Sequence, residues 1–266
     1  MGVASIEVLN LAFLIILVVP IFMINRTIGI VQTKKIVIAI MRMVIQLSIV
    51  GIYLQYIFDL NNIGLNIAYI VVMMVVATIS IGGSIPIKRS ISFVPVLVSL
   101  FIPNIFMLLF FNGVVIQINQ IFDAKYIITI GGMLLGNGLS GNIIGLSTFY
   151  NGLIKNEDVY QYDLMLGATK FEALKPYFKE AVLVSINPTI ASIATIGLVS
   201  LPGMMTGQIL GGTIPIEAIR YQIAIMVAIF ITKYFNIYLA IILSAKNMFN
   251  SKCQLKKQFL KEEVQS

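Results

Sequence analysis

The side chains able to do chemistry in this 266-residue chain are few and of unusual kinds. Histidine is absent and there is one cysteine, Cys253, which removes the commonest proton shuttle, the commonest transition-metal ligand and any disulfide framework. What remains within the apolar stretches is softer. Met204, Met205, Thr206 and Gln208 follow a Pro202-Gly203 break. Proline removes a backbone donor, so freed carbonyls, a thioether and an amide suit a weak coordination site on a transport path. Helix packing, with methionine as filler and the glutamine bonded to a neighbour, accounts for the same residues. Asn137 and Asn142 are amides in apolar surroundings and need either a partner or a wet cavity. Arg42, with Gln46 one turn further on, either snorkels to an interface or lines a pathway. Lys233 lies too deep to snorkel fully, and no Asp or Glu stands near the centre of an apolar run to pair with it. No spacing among these residues identifies a set of metal ligands.

The elements that must position them are membrane spans. Hydrophobic residues make up 59% of the chain and charged residues 11%, against roughly 25% charged in a soluble domain. With a mean hydropathy of +0.98, the chain cannot supply the polar shell of a soluble globule. Disorder, a disulfide scaffold and a cytosolic enzyme are excluded at this point. Runs of roughly 20 apolar residues fall at about 5–24, 35–58, 63–82, 91–111, 126–148, 183–210 and 216–243. The expected architecture is all-α and polytopic, with about seven transmembrane helices. The first run has no Lys or Arg before it and no small-residue cleavage site after it, so it reads as a retained span.

One set of connections carries Arg26, Lys34, Lys35, Lys88, Arg89, Lys155, Lys170, Lys175 and Lys179, and the tail adds Lys246, Lys252, Lys256, Lys257 and Lys261. The other side has only Lys125 and Arg220. That bias predicts an N-terminus outside and a C-terminus in the cytoplasm, in a multi-pass plasma-membrane protein. It also explains the net charge of +7 without nucleic acid. The organisation is a transmembrane domain, 1–245, and a basic cytoplasmic tail, 246–266.

The longest connection, 149–182, is built oddly for a linker. Asn156 reads as an N-cap, with Glu157 and Asp158 at the positive end of a helix dipole. Residues 157–166 read as a short helix closed by Gly167. Thr169 and Glu172 form a capping box opening a second short helix, with Phe171 and Leu174 on one side and Pro176 limiting or kinking it. An interfacial amphipathic linker and a docking element for a cytoplasmic partner both fit this pattern. Small residues recur elsewhere: Gly203, Gly207 and Gly211 lie four apart, as do Gly132, Gly136 and Ser140, and then Gly141 and Gly145, spacings that permit close helix contact. A Walker-type phosphate loop is absent, so the chain does not hydrolyse nucleotide alone.

The run GLVSLPGMMTGQILGG at 197–212, followed by PIEAIRYQIAIM at 215–226, resembles the FetB-type ABC permeases. Bacterial members are described as iron-export permeases, and plant relatives act in aluminium tolerance. The likeness extends to RMVIQLSIVG at 42–51, GMLLGN at 132–137 and LGATKFEALKP at 166–176. It implies a permease subunit that binds no cofactor of its own, pairs with an ABC ATPase carrying ATP and Mg, and assembles as two of each. LGATKFEAL is similar to the coupling loop of such permeases, which implies ATPase contact through Asp163, Leu166, Gly167, Ala168, Thr169, Phe171 and Glu172. Gln161, Tyr162 and Asp163 stand where that loop's general pattern has Glu-Ala-Ala. The implied function is export of iron or another metal ion by alternating access, with export of a non-metal substrate as the alternative.

Three other classes compete. A gradient-driven secondary transporter suits the broken sixth span, though no carboxylate or histidine relay and no clear repeat is present. Lys233 in the last helix permits a retinal Schiff base, but a mid-membrane counter-ion and tryptophan are both lacking. An intramembrane enzyme would need a nucleophile–base pair or metal triad, and none is apparent.

Overall fold

A computed structural model describes residues 10, 13, 15–250 and 253–261. The expected span at 5–24 lies largely outside them, and its described part contributes to a short helix, α1 (Val19–Ile28), closed by Gly29 at φ +76°. Then follow α2 (Thr33–Leu60), α3 (Ile63–Ser84), α4 (Arg89–Phe110), α5 (Ala124–Lys155), α6 (Glu157–Met165), α7 (Lys170–Thr195), α8 (Gly203–Leu210) and α9 (Pro215–Met248). The described residues form no strand beyond three isolated bridges. Among the described residues, five helices are long and apolar enough to cross a membrane: α2, α3, α4 with its π-helical extension to Val115, α5 and α9. The chain is therefore an all-helical membrane protein.

Short polar devices set the helix ends. Asn61 takes the left-handed conformation after α2, and Asn62 caps α3 by accepting from Leu65 N at 3.2 Å. Asn61 also accepts from Ala124 N at 2.8 Å, and Asn66 donates to Phe122 O at 2.9 Å, so one end of the bundle is tied to the start of α5. Asp123 caps α5 through Lys125 N.

Helix α5 is the axis of the bundle, packing against α3, α7 and α9. Gly131, Gly138, Gly141 and Gly145 share one face of it. An added Cβ would lie 2.7 Å from Ile70 at Gly131, 2.8 Å from Lys233 at Gly141, and 2.5 Å from Ile237 at Gly145. The expected Gly141/Gly145 series is thus a packing series. Gly132 and Gly136 face away: Gly136 meets nothing within 4 Å, and Gly132 only the end of Met73 at 3.4 Å.

The sixth expected span is two helices. α7 runs unbroken through Pro176 and Pro188 to Thr195, so Pro176 does not limit it. Burial of Ala173, Leu174, Tyr177 and Ala181 holds α7 in the bundle and outweighs a proline cost of about 3 kcal/mol. The break falls at 196–202, where Gly197 sits at φ +84° and donates to Ser200 O at 2.9 Å. Pro202 is the N-cap of α8 and no kink within a helix. Among the described residues, Gly203, Gly207 and Gly211 meet no neighbouring helix: a Cβ at Gly203 or Gly207 finds open space, and at Gly211 only α8's own carbonyls. Their expected close helix contact is not made among those residues.

Candidate functional site

Three places gather the polar and charged groups. The first is the α6–α7 corner. Gly167, at φ +92°, donates to Leu164 O, and Ala168 donates to Asp163 O, both at 3.1 Å, which closes α6 in a Schellman motif. Thr169 opens α7 with the expected capping box: Glu172 Oε2 accepts from Thr169 N at 2.8 Å, and Glu172 N donates to Thr169 Oγ1 at 3.3 Å. The Thr169 hydroxyl and amide hold the Glu172 carboxyl below its ordinary range. Asn156 makes no side-chain cap and instead donates to Gly152 O at 2.8 Å, because it also ends α5. Phe171 and Leu174, three apart on α7, differ in environment: Leu174 is buried in the core while Phe171 is 66% exposed. With Tyr162, Met165 and Leu166, also exposed, Phe171 forms an apolar knob held on both flanks by backbone caps.

The chain after α9 returns to this corner. Tyr160 donates to Cys253 O at 2.7 Å, and burial pushes its phenol up to about 12. Lys257 pairs with Glu157 at 2.8 Å, which raises the lysine. Leu255 and Leu260 are buried, Lys88 N donates to Phe259 O at 2.8 Å, and Lys261 N donates to Pro86 O at 2.9 Å. Lys170 sits 4.2 Å from the centre of the Phe249 ring. Residues 253–261 therefore join α6 to the α3–α4 turn.

The second place is a buried polar seam where α4, α5, α7 and α9 meet. Lys233 is 5% exposed, and its Nζ donates to Thr189 Oγ1 at 2.9 Å. It lies mid-helix, about 22 Å from the α9 end at Met248, deeper than the sequence implied because α9 runs past 243. Among the described residues no carboxylate pairs with it. Ser185 donates to Gly141 O at 3.1 Å and Asn142 to Ser99 Oγ at 3.4 Å. Asn104 Oδ1, Asn142 Oδ1, Asn236 Nδ2 and Thr232 Oγ1 are buried without a hydrogen-bond partner among the described residues. Asn104, Thr189 and Asn236 were not singled out in the sequence, although each is a polar residue inside an apolar run, which is the signal that pointed to Asn142.

The third is a cleft of about 1370 Å³ between α2, α3 and α5, lined at one end by Lys35, Arg42 and Arg89 and at the other by Tyr53 and Tyr69. Arg42 and Gln46 meet on its wall, and so do Gly132 and Gly136. Asn137 is elsewhere, half-buried and bonded to Met133 O at 2.9 Å. Met204, Met205 and Gln208 sit on α8 beside α9, where Met205 is buried and Gln208 Oε1 has no partner among the described residues. The six pathway candidates thus divide among three locations. Among the described residues no three His, Cys, Asp or Glu side chains come together to hold a metal.

An apolar helical bundle with a polar seam, a charged cleft and a capped apolar corner at one end defines a polytopic membrane protein. The family described as "Uncharacterised protein family (UPF0014)" matches residues 8–249, and the chain belongs to it. Over 251 residues it is 31% identical to the probable iron export permease protein FetB of Escherichia coli K12, covering 92% of this chain and 93% of that relative. It is 32% identical over 191 residues to the protein ALUMINUM SENSITIVE 3 of Arabidopsis thaliana, covering 71% and 67%. With the UPF0014 membrane protein YjkA of Bacillus subtilis it shares 29% identity over 224 residues. No solved structure matches. The resemblance carried by PGMMTGQIL and its companion motifs is a family relationship.

Proposed function

We propose that the chain is the membrane-spanning permease subunit of an ABC transporter in the plasma membrane, with its N-terminus outside and the α6–α7 corner in the cytoplasm. A separate ATPase subunit, holding ATP and Mg, docks on the corner, and two permeases work with two ATPases. The observation that carries this reading is the apolar knob of Tyr162, Met165, Leu166 and Phe171, exposed at the end where the basic connections meet yet fixed by caps on either side. An exposed apolar group on a rigid corner suits a groove on a partner, since ordering it costs little entropy on binding. ATP binding brings the ATPases together, the corners move with them, and the bundle changes the side to which its polar interior opens.

Iron or another metal ion is the cargo that the naming of the E. coli relative supports. A chelate or other non-metal cargo is favoured by the donor set. Lys233 and neutral amides and hydroxyls line the seam, and a buried ammonium repels a bare cation. The test is purification with the partner ATPase and reconstitution in vesicles. Leu166→Glu with Phe171→Glu is expected to abolish ATP-dependent transport while leaving the permease folded. Transport at full rate without any ATPase, driven by an ion gradient, would overturn the proposal.

A further inference from the structure

The permease reading does not use the cleft between α2, α3 and α5. Its walls are aliphatic, from Leu47 and Val50 on α2, Val72 and Val76 on α3 and Leu135 and Leu139 on α5. Its charged residues are Lys35, Arg42 and Arg89, all toward one end, and no carboxylate is among its lining residues. Arg89 is specifically accommodated. Its side chain lies across the last turn of α3, where a Cβ at Gly82 would stand 3.0 Å from Arg89 Cγ and one at Gly83 would stand 3.1 Å from Nη2. Arg89 also opens α4, so the positive end of that helix dipole adds to the cations. Ser80 and Ser84 also line the cleft. At the far end, the Tyr53 and Tyr69 hydroxyls close on each other at 2.7 Å.

The dimensions identify the occupant. From Arg42 to Tyr53 on α2, and from Tyr69 to Ser80 on α3, is eleven residues, about 16 Å in each case at the helical rise, with Lys35 about 10 Å further out along α2. One leaflet of a bilayer's hydrocarbon core is roughly 15 Å deep. The cleft therefore offers a cationic rim at headgroup level, an apolar trough one leaflet long, and a polar stop at its base.

We infer that this cleft binds an anionic phospholipid, its phosphate held by Arg42, Arg89 and Lys35 and an acyl chain lying along α2, α3 and α5. Charge complementarity selects an anionic over a zwitterionic headgroup, and the length of the trough selects a lipid over a free anion. The site does not depend on the ATPase, so it stands or falls separately from the proposed transport function.

The experiment uses the full chain purified in detergent and titrated with dioleoyl phosphatidylglycerol, dioleoyl phosphatidylcholine or inorganic phosphate. Retained lipid is read by native mass spectrometry and stability by thermal unfolding. Phosphatidylglycerol is expected to be retained in preference to phosphatidylcholine and to raise the unfolding temperature, while phosphate alone does neither. In Arg42→Gln with Arg89→Gln the preference should fall by roughly thirty-fold, given about 1 kcal/mol for each cation facing an anionic surface. The doubly substituted protein remains testable because its phosphatidylcholine binding and its unfolding temperature without lipid report its fold. Equal retention of the two lipids, a preference that survives both substitutions, or an equal effect of phosphate alone would each overturn the inference. So would a Val50→Cys variant, made with Cys253→Ser, that cross-links two copies through the cleft and shows a second copy as the occupant.

Discussion

Replacing Gly145 by alanine places a methyl carbon 2.5 Å from Ile237 Cδ1, 3.0 Å from Ile237 Cγ1 and 3.6 Å from the Ala181 carbonyl oxygen. The isoleucine is fully buried and cannot swing into solvent. Overfilling such a contact costs about 1–3 kcal/mol, from which about 1 kcal/mol is recovered by the higher helix propensity of alanine. Gly136 is the matched control, in the same helix but with nothing within 4 Å of the added carbon. There only the gain remains, about 0.5–1 kcal/mol. At roughly 2–4 °C per kcal/mol for a chain of this size, Gly145→Ala should lower the unfolding temperature by up to about 8 °C, while Gly136→Ala raises it by about 1–4 °C. The assay is thermal unfolding of each variant in one detergent. Equal shifts of the same sign would refute the division of α5 into a packing face and a cleft face. A large loss at Gly136 alone would show that a second copy covers the cleft.

Thr189→Val leaves the Lys233 ammonium without its hydrogen-bond acceptor and should cost about 1–3 kcal/mol, whereas Lys233→Met added to it should restore most of that loss; a double variant as unstable as the single one would contradict the pairing. Leu260→Ala removes a buried contact between the returning chain and the α3–α4 turn, so limited proteolysis within 157–169 should accelerate severalfold, and an unchanged cleavage rate would mean that α6 does not depend on that anchor. The lowered Glu172 carboxyl stabilises the corner at pH values above its ordinary 4.5, and this is lost as pH falls through the lowered value. Amide protection at 169–172, taken relative to the intrinsic exchange rate at each pH, should therefore fall in acid in the wild type, and lose that pH dependence in Glu172→Gln.

The devices read correctly from sequence were those whose partners lie within a few residues. Thr169 and Glu172 are three apart, and Gly167 needs only its own backbone, so both caps of the corner were legible. Which glycine series would pack was not, because Gly132/Gly136 and Gly141/Gly145 have identical spacing and differ only in what another helix brings to them. The location of the sixth-span break was half legible. Pro202 and Gly203 marked it, but the chain turns earlier, at Gly197, and Pro176, expected to limit or kink its helix, is carried by buried neighbours. The partner of Lys233 escaped for a similar reason. Its acceptor is a neutral threonine 44 positions away, with no charge to mark it. Nor does basic composition at 246–266 announce that Leu255 and Leu260 are buried.

Tyr160 and the Cys253 carbonyl that it holds are 93 residues apart in the chain. During synthesis at about 5–20 residues per second, α6 leaves the ribosome roughly 5–20 seconds before that anchor exists. In that interval the corner already has its own caps but no attachment to the α3–α4 turn. Its fixed position in the bundle is therefore acquired last, with the knob formed before it is held in place.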